Sequence, residues 1–88
     1  MVTLLLLGNF YFTSANCGPC RTQLPIIQEL IAEGYDIQII HYKTNPEMFE
    51  QFDVHMTPTF ITVRGYWNQK ILKLSGLQRK EKLIEAMR

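Results

Sequence analysis

The stretch Ser14–Pro25, "SANCGPCRTQLP", holds both cysteines of the chain, Cys17 and Cys20, separated only by Gly18 and Pro19. It opens a helical pattern. From Gly18 to Glu33 the apolar residues Leu24, Ile27, Leu30 and Ile31 recur at helical spacing, Gln23, Gln28 and Glu29 fall mostly elsewhere on the wheel, and Gly34 is a stop signal. Two cysteines at i and i+3 on a helix share one face, within the Cα separation of about 4.4–6.8 Å that a disulfide needs. Cys17 falls at the helix start, where unpaired amide N–H groups and the helix dipole favour an anion, so its thiol is expected to titrate below the free value of about 8.5. Cys20, one turn further in, is expected to be more buried and to keep its proton longer.

Three uses compete for such a pair. A structural disulfide closing so short a loop removes little unfolded-state entropy. A zinc site would need His41 and His55 as partners, yet thirteen residues separate them, against the usual spacing of about three to five. Reversible thiol–disulfide exchange fits best: Cys17 attacks a substrate disulfide, and Cys20 resolves the mixed disulfide. Pro19 stiffens the turn, and Gly18 leaves the sulfur open to approach.

Outward from this motif, Val2–Leu7 reads as a strand covered on both faces, ended by Gly8-Asn9. Ile37–Tyr42 reads as a second strand. Asn45-Pro46-Glu47 starts a short helix that ends near Phe52. Thr59–Val63 and Lys70–Leu74 form a hairpin across Gly65 and Asn68, and Gly76 breaks it. Gln78–Met87 closes the chain as an amphipathic helix burying Leu83, Ile84 and Met87. The order is β-α-β-α-β-β-α: a four-stranded mixed sheet with helices on both faces, its first two strands parallel across a helical crossover.

At 88 residues the expectation is one domain, residues 1–88, with a small core. Nine basic and eight acidic residues, net charge +1, spread along the chain without the concentrated basic face of a nucleic-acid binder. The run Leu4–Leu7 is too short to span a bilayer, and neither basic residues before it nor a cleavage signal after it mark a secretory leader. A cytoplasmic location is therefore expected, where closely spaced cysteines favour redox chemistry over a structural bridge.

The chain resembles the thioredoxin family. "CGPC" is its active-site tetrapeptide, Pro25 lies eight residues past Cys17 where the family carries a helix-kinking proline, and "MTPTF", Met56–Phe60, matches its cis-proline loop. The resemblance runs from about Thr3 to the end, the minimal core shared with glutaredoxins, without the additional strand and helix that precede it in full-length members. It implies a minimal thioredoxin fold and a protein-disulfide reductase. Cys17 is the implied nucleophile and Cys20 the resolving thiol, Pro58 the cis-proline, Thr57 the residue whose backbone pairs with substrate, and Gly76 the glycine that admits the substrate chain. Asn16, in place of the family's tryptophan, would border that docking surface. The family's buried aspartate, six residues before the first cysteine, falls on Tyr11, and its lysine partner near Ile39. Tyr11 is thus a candidate neighbour of the thiols, and proton removal from Cys20 would rest on water, Tyr11 or the substrate.

The resemblance further implies no cofactor beyond the Cys17–Cys20 pair, no metal, and a low potential near thioredoxin's ~ −270 mV. The implied partners are disulfide-bearing proteins, ribonucleotide reductase among them, with electrons from a thioredoxin reductase-like donor and the protein acting as a monomer. A glutathione-coupled, glutaredoxin-like enzyme is the alternative, weakened because "SGLQRKEK" has no acid directly after its glycine. A non-catalytic module binding partners at the Pro58 groove is another.

Overall fold

The structure, a computed structural model, describes residues 7–88. Seven elements follow in order: β1 Gly8–Thr13, α1 Gly18–Ala32, β2 Ile37–His41, α2 Pro46–Gln51, β3 Thr59–Arg64, β4 Lys70–Ser75 and α3 Lys80–Met87. The strands form one mixed sheet in the order β2-β1-β3-β4, with β1 parallel to β2 and antiparallel to β3, and β4 antiparallel to β3. This is the β-α-β-α-β-β-α architecture expected from the sequence.

Among the described residues the first strand is β1, Gly8–Thr13. Residues 2–6 of the anticipated Val2–Leu7 strand are outside the described residues, and Leu7 precedes β1 as an exposed residue. Gly8 and Asn9, read as its end, instead begin β1, pairing with Val63 and Thr62 of β3. The run buried on both faces is Phe10-Tyr11-Phe12, every side chain fully buried. Successive strand residues point to opposite faces, which divides this triplet between two cores.

Phe10 and Phe12 face α2, packing with Phe49, Phe52, Ile40, Ile61 and Val63. Phe12 meets Phe49 edge-on, their ring centroids 5.0 Å apart. Tyr11 faces the other way, with Phe60 and Ile37, against Ile27 and Leu30 of α1 and Leu83 of α3. Helices therefore cover both faces, α1 and α3 on one and α2 on the other.

The buried face of α1 is Cys20, Gln23, Ile27 and Leu30. Gln23, a polar residue expected off the buried face, is 2 % exposed. Its amide is satisfied there: Oε1 accepts the Gln78 N–H at 2.7 Å, and Nε2 donates to the Gln78 carbonyl at 3.1 Å. Because Gln78 is engaged this way, α3 starts at Lys80 and not at Gln78. Ile31, expected on the buried stripe, is exposed at the far end of α1.

Candidate active site

Cys17 and Cys20 meet as a disulfide at the N-terminus of α1, their Cα atoms 5.2 Å apart. Cys17 is the N-cap residue, with extended backbone angles, and its Sγ accepts the Cys20 backbone N–H at 3.2 Å. A sulfur in this position takes up one of the donors that a helix start leaves unpaired, so the cap favours the anionic form when the bridge opens. Pro19 occupies the first turn, where its missing N–H costs nothing. Pro25 lies inside α1 and removes the hydrogen bond that the Arg21 carbonyl would otherwise accept.

Burial differs between the sulfurs' residues. Cys17 is half-buried, whereas Cys20 is only 4 % exposed. Above the motif, a side chain built at Gly18 would meet nothing within 4 Å. Asn16 immediately precedes Cys17, exposed and at φ 57°, a left-handed conformation that asparagine tolerates better than most residues.

The β2-distal side of the pair is formed by the loop before β3. The Thr57–Pro58 peptide bond is cis. Cys17 Sγ lies 3.6 Å from the Thr57 carbonyl oxygen, so the reduced thiol has an acceptor there. The Thr57 hydroxyl pairs with that of Ser14 at 2.7 Å, tying this loop to the end of β1. The Pro58 ring is fully buried, so what faces outward beside Cys17 is Thr57 and its backbone. Gly76, at φ 88°, donates its N–H to the Pro58 carbonyl at 2.8 Å, and the space over its Cα is open. Thr57 thus sits beside Cys17, and Gly76 is joined to the same loop through Pro58.

Tyr11 reaches the motif from beneath. Its hydroxyl donates a long hydrogen bond, 3.4 Å, to the Cys20 carbonyl. Burial pushes its phenol pKa up, opposed in part by a hydrogen bond with the Thr13 side chain. It is a neutral group placed on the backbone, and a phenol held this way does not accept a proton near neutral pH.

Sequence reasoning missed three contributors. Ser14 stood inside the opening stretch, but only the fold shows its hydroxyl meeting Thr57. Gln23 could have been found: it continues the stripe Cys20, Ile27, Leu30 at i, i+3, i+7 and i+10. The third is a cleft of about 380 Å³ between α1 and the edge strand β2, bordered by both cysteines, Asn16, Arg21, Gln28 and His41. Among the described residues no group of three or more His, Cys, Asp or Glu side chains could hold a metal ion. His41 and His55, weighed as ligands, line separate depressions.

The Thioredoxin family model matches residues 6–88. The chain belongs to the thioredoxin family. It is 33% identical over 75 residues to the thioredoxin of Alicyclobacillus acidocaldarius subsp. acidocaldarius, an alignment covering 82% of this chain and 70% of that one. It is 30% identical over 79 residues to part of the bifunctional thioredoxin reductase/thioredoxin of Mycobacterium leprae (strain TN), covering 86% of this chain and 17% of that longer protein. The crystal structure of thioredoxin from Trypanosoma brucei brucei superposes with a TM-score of 0.75 at 26% identity, covering 94% of this chain and 73% of that one. With the family and a redox-capable cysteine pair in place, the protein is a thiol–disulfide oxidoreductase.

Proposed function

We propose that this thioredoxin-family protein reduces protein disulfides, with Cys17 as nucleophile and Cys20 as resolving thiol. The observation that carries the reading is the asymmetry of the pair: Cys17 is half-buried at the helix N-cap, and Cys20 is 4 % exposed behind it. Cys17 as thiolate attacks a substrate sulfur, forming a mixed disulfide and expelling the first substrate thiolate. Cys20 then attacks Cys17, closing the 17–20 bridge and expelling the second. The substrate chain lies over Thr57 and Pro58 between Asn16 and Gly76, using Thr57 backbone groups. Tyr11 serves by holding the Cys20 carbonyl.

Electrons come from a thioredoxin reductase-like donor. In support, the Mycobacterium leprae relative carries both names in one chain. The electrons reside in the cysteines themselves, with no further cofactor. We place the protein in the cytoplasm as a monomer, residues 1–88 forming one domain, with ribonucleotide reductase among its substrates. No described helix is long and apolar enough to cross a membrane.

Insulin reduction driven by NADPH and a thioredoxin reductase tests the proposal. Wild type is expected to precipitate the insulin B chain, Cys17→Ser to be inactive, and Cys20→Ser to accumulate a mixed disulfide through Cys17. A pair potential below about −240 mV agrees with a reductant; one above about −200 mV contradicts it. Retained reduction by Cys17→Ser would remove the assigned nucleophile.

A further inference from the structure

The end of the sheet remote from the cysteines carries a feature that the thiol chemistry does not use. β3 and β4 stay paired from Thr59 and Ser75, next to Pro58, to Arg64 and Lys70. At ~3.3 Å per residue the turn between them therefore stands about 17 Å from the cis-proline end. That turn holds Tyr66 and Trp67, 74 % and 91 % exposed. At that exposure neither ring covers the core, so the fold gains little from two large apolar groups left in water. The turn is nevertheless built to one shape. Gly65 sits at φ 89°, and a Cβ there would lie 2.8 Å from the Asn68 carbonyl oxygen, so only glycine admits the backbone that carries the two aromatics.

The apolar surface continues along β4. Ile71 and Leu72 point to opposite faces of this edge strand, and both are roughly half exposed. The charge of the region is of one sign. From Val54 to Lys80 the chain carries Arg64, Lys70, Lys73, Arg79 and Lys80 and no aspartate or glutamate, although the net charge of the whole is only +1. Lys73 is tied back to the Asp53 carbonyl at 2.7 Å, which leaves Arg64 and Lys70 as the cations at the turn. They lie directly opposite each other in the last pair of the ladder, a like-charge pairing that destabilises the hairpin and that a nearby anion would relieve. Arg64 is held in place by the carbonyls of Ala86 and Arg88. Acids at this end of the molecule lie away from β4. Glu33 and Asp36 precede β2, three strand spacings or about 14 Å across the sheet, and Glu85 is exposed on α3.

We propose that the Tyr66–Trp67 turn docks this protein on an anionic lipid bilayer. Tyrosine and tryptophan join an apolar body to a polar O–H or N–H, the combination that sits where acyl chains meet headgroups. Arg64 and Lys70, at the base of the turn, then stand at the level of the phosphates, and each cation near an anionic leaflet adds to the attraction. Lysines on an edge strand also guard it against pairing, but that leaves the two rings beyond the ladder without a use. Apolar residues on both faces of β4 favour a medium that surrounds the hairpin over a protein surface that covers one face. With the turn in the interface, the Cys17 end faces water, and exchange with protein disulfides continues while the protein is docked.

Trp67 is the only tryptophan of the chain, so its fluorescence reads the turn alone. On titration with phosphatidylcholine vesicles containing about 30% phosphatidylglycerol, the emission is expected to shift to the blue, and brominated acyl chains are expected to quench it. Pure phosphatidylcholine is expected to bind about 25-fold more weakly, and Lys70→Gln to bind the anionic vesicles about fivefold more weakly. Arg79→Gln, an equal charge change near the other end of the hairpin, is expected to keep the wild-type affinity. Trp67→Ser, followed by vesicle sedimentation, is expected to lose binding while reducing insulin as wild type does without vesicles. No shift with anionic vesicles overturns the proposal, as does equal binding to neutral and anionic ones. Equal weakening by Arg79→Gln overturns it too, since bulk charge would then suffice, and so does wild-type sedimentation of Trp67→Ser. A shift with polyglutamate and none with vesicles overturns the lipid assignment and makes an acidic protein the occupant.

Discussion

Replacing Gln23 with methionine keeps the length and flexibility of the side chain and removes both polar atoms. In the native protein those atoms hold the Gln78 N–H at 2.7 Å and the Gln78 carbonyl at 3.1 Å. Each bond contributes about 1 kcal/mol net, so losing two is expected to cost roughly 2 kcal/mol. Gln78 is half-buried, so water reaches part of what is exposed and the larger penalty for fully orphaned groups does not apply. In a chain of this size about 1 kcal/mol shifts Tm by ~4–8 °C, so Gln23→Met is expected to melt about 8–16 °C lower. Urea unfolding checks the free energy directly, with an unchanged m-value. The consequence reaches the site, because Gln78 lies two residues after Gly76, whose N–H is bonded to Pro58. Freed from α1, this loop is expected to raise KM for insulin more than it lowers kcat. A variant as stable as wild type to within about 0.5 kcal/mol would refute the reasoning, since the two bonds would then be worth nothing.

Leu83→Ala, truncating the fully buried contact of α3 with the Tyr11 core, is expected to destabilise by about 2–5 kcal/mol in urea titrations. Tyr11→Phe breaks a long bond to the Cys20 carbonyl and the contact with the Thr13 side chain, and is expected to cost about 1–2 kcal/mol and to leave the pH profile of mixed-disulfide resolution in place. A profile displaced by that variant would make Tyr11 a participant in proton transfer. Lys80 bonds Glu29 at 2.6 Å and also contacts Glu33, and it holds the exposed Glu29 carboxyl below its ordinary pKa. A group depressed on folding stabilises above its unfolded pKa and loses that contribution as pH falls through the folded value. Any advantage of wild type over Lys80→Met is therefore expected at neutral pH and to close in acid, as urea midpoints at pH 7 and pH 3 would reveal.

The fold was legible because its signals were local. Helix punctuation by Pro46 and Gly34, the β-branched run at Ile37, and the hairpin around Gly65 each act over a few residues, and all mark elements that form. The reading of Gly8-Asn9 as a strand end shows where such signals mislead. Glycine and asparagine are counted as breakers, so the pair hid the start of the strand that carries Phe10–Phe12. What decides is pairing: Gly8–Phe12 runs antiparallel to Thr59–Val63 and Asn9–Thr13 parallel to Ile37–His41. Neither partner is nearby in sequence, so no window around Gly8 contains the information that makes it strand.

The site divides in the same way. Cys17 and Cys20 were legible because one helical turn brings them together whatever the rest of the chain does. Gln23 was misplaced because amide side chains are normally counted as solvent-facing, while its burial depends on Gln78, fifty-five residues away. The cleft was invisible for the opposite reason, since it is made by side chains too small to fill it. Tyr11 joins the two cases. Its position under the motif follows from β1, but its role follows from its surroundings, where Phe60, Ile27 and Leu83 leave the phenol neutral. A neutral group fixed to the backbone steadies the first turn of α1 and takes no proton from it. The proton of the resolving thiol is therefore left to water or the substrate. The rate of resolution is then expected to follow the ionisation of Cys20 itself, with a single inflection in pH that Tyr11→Phe does not move.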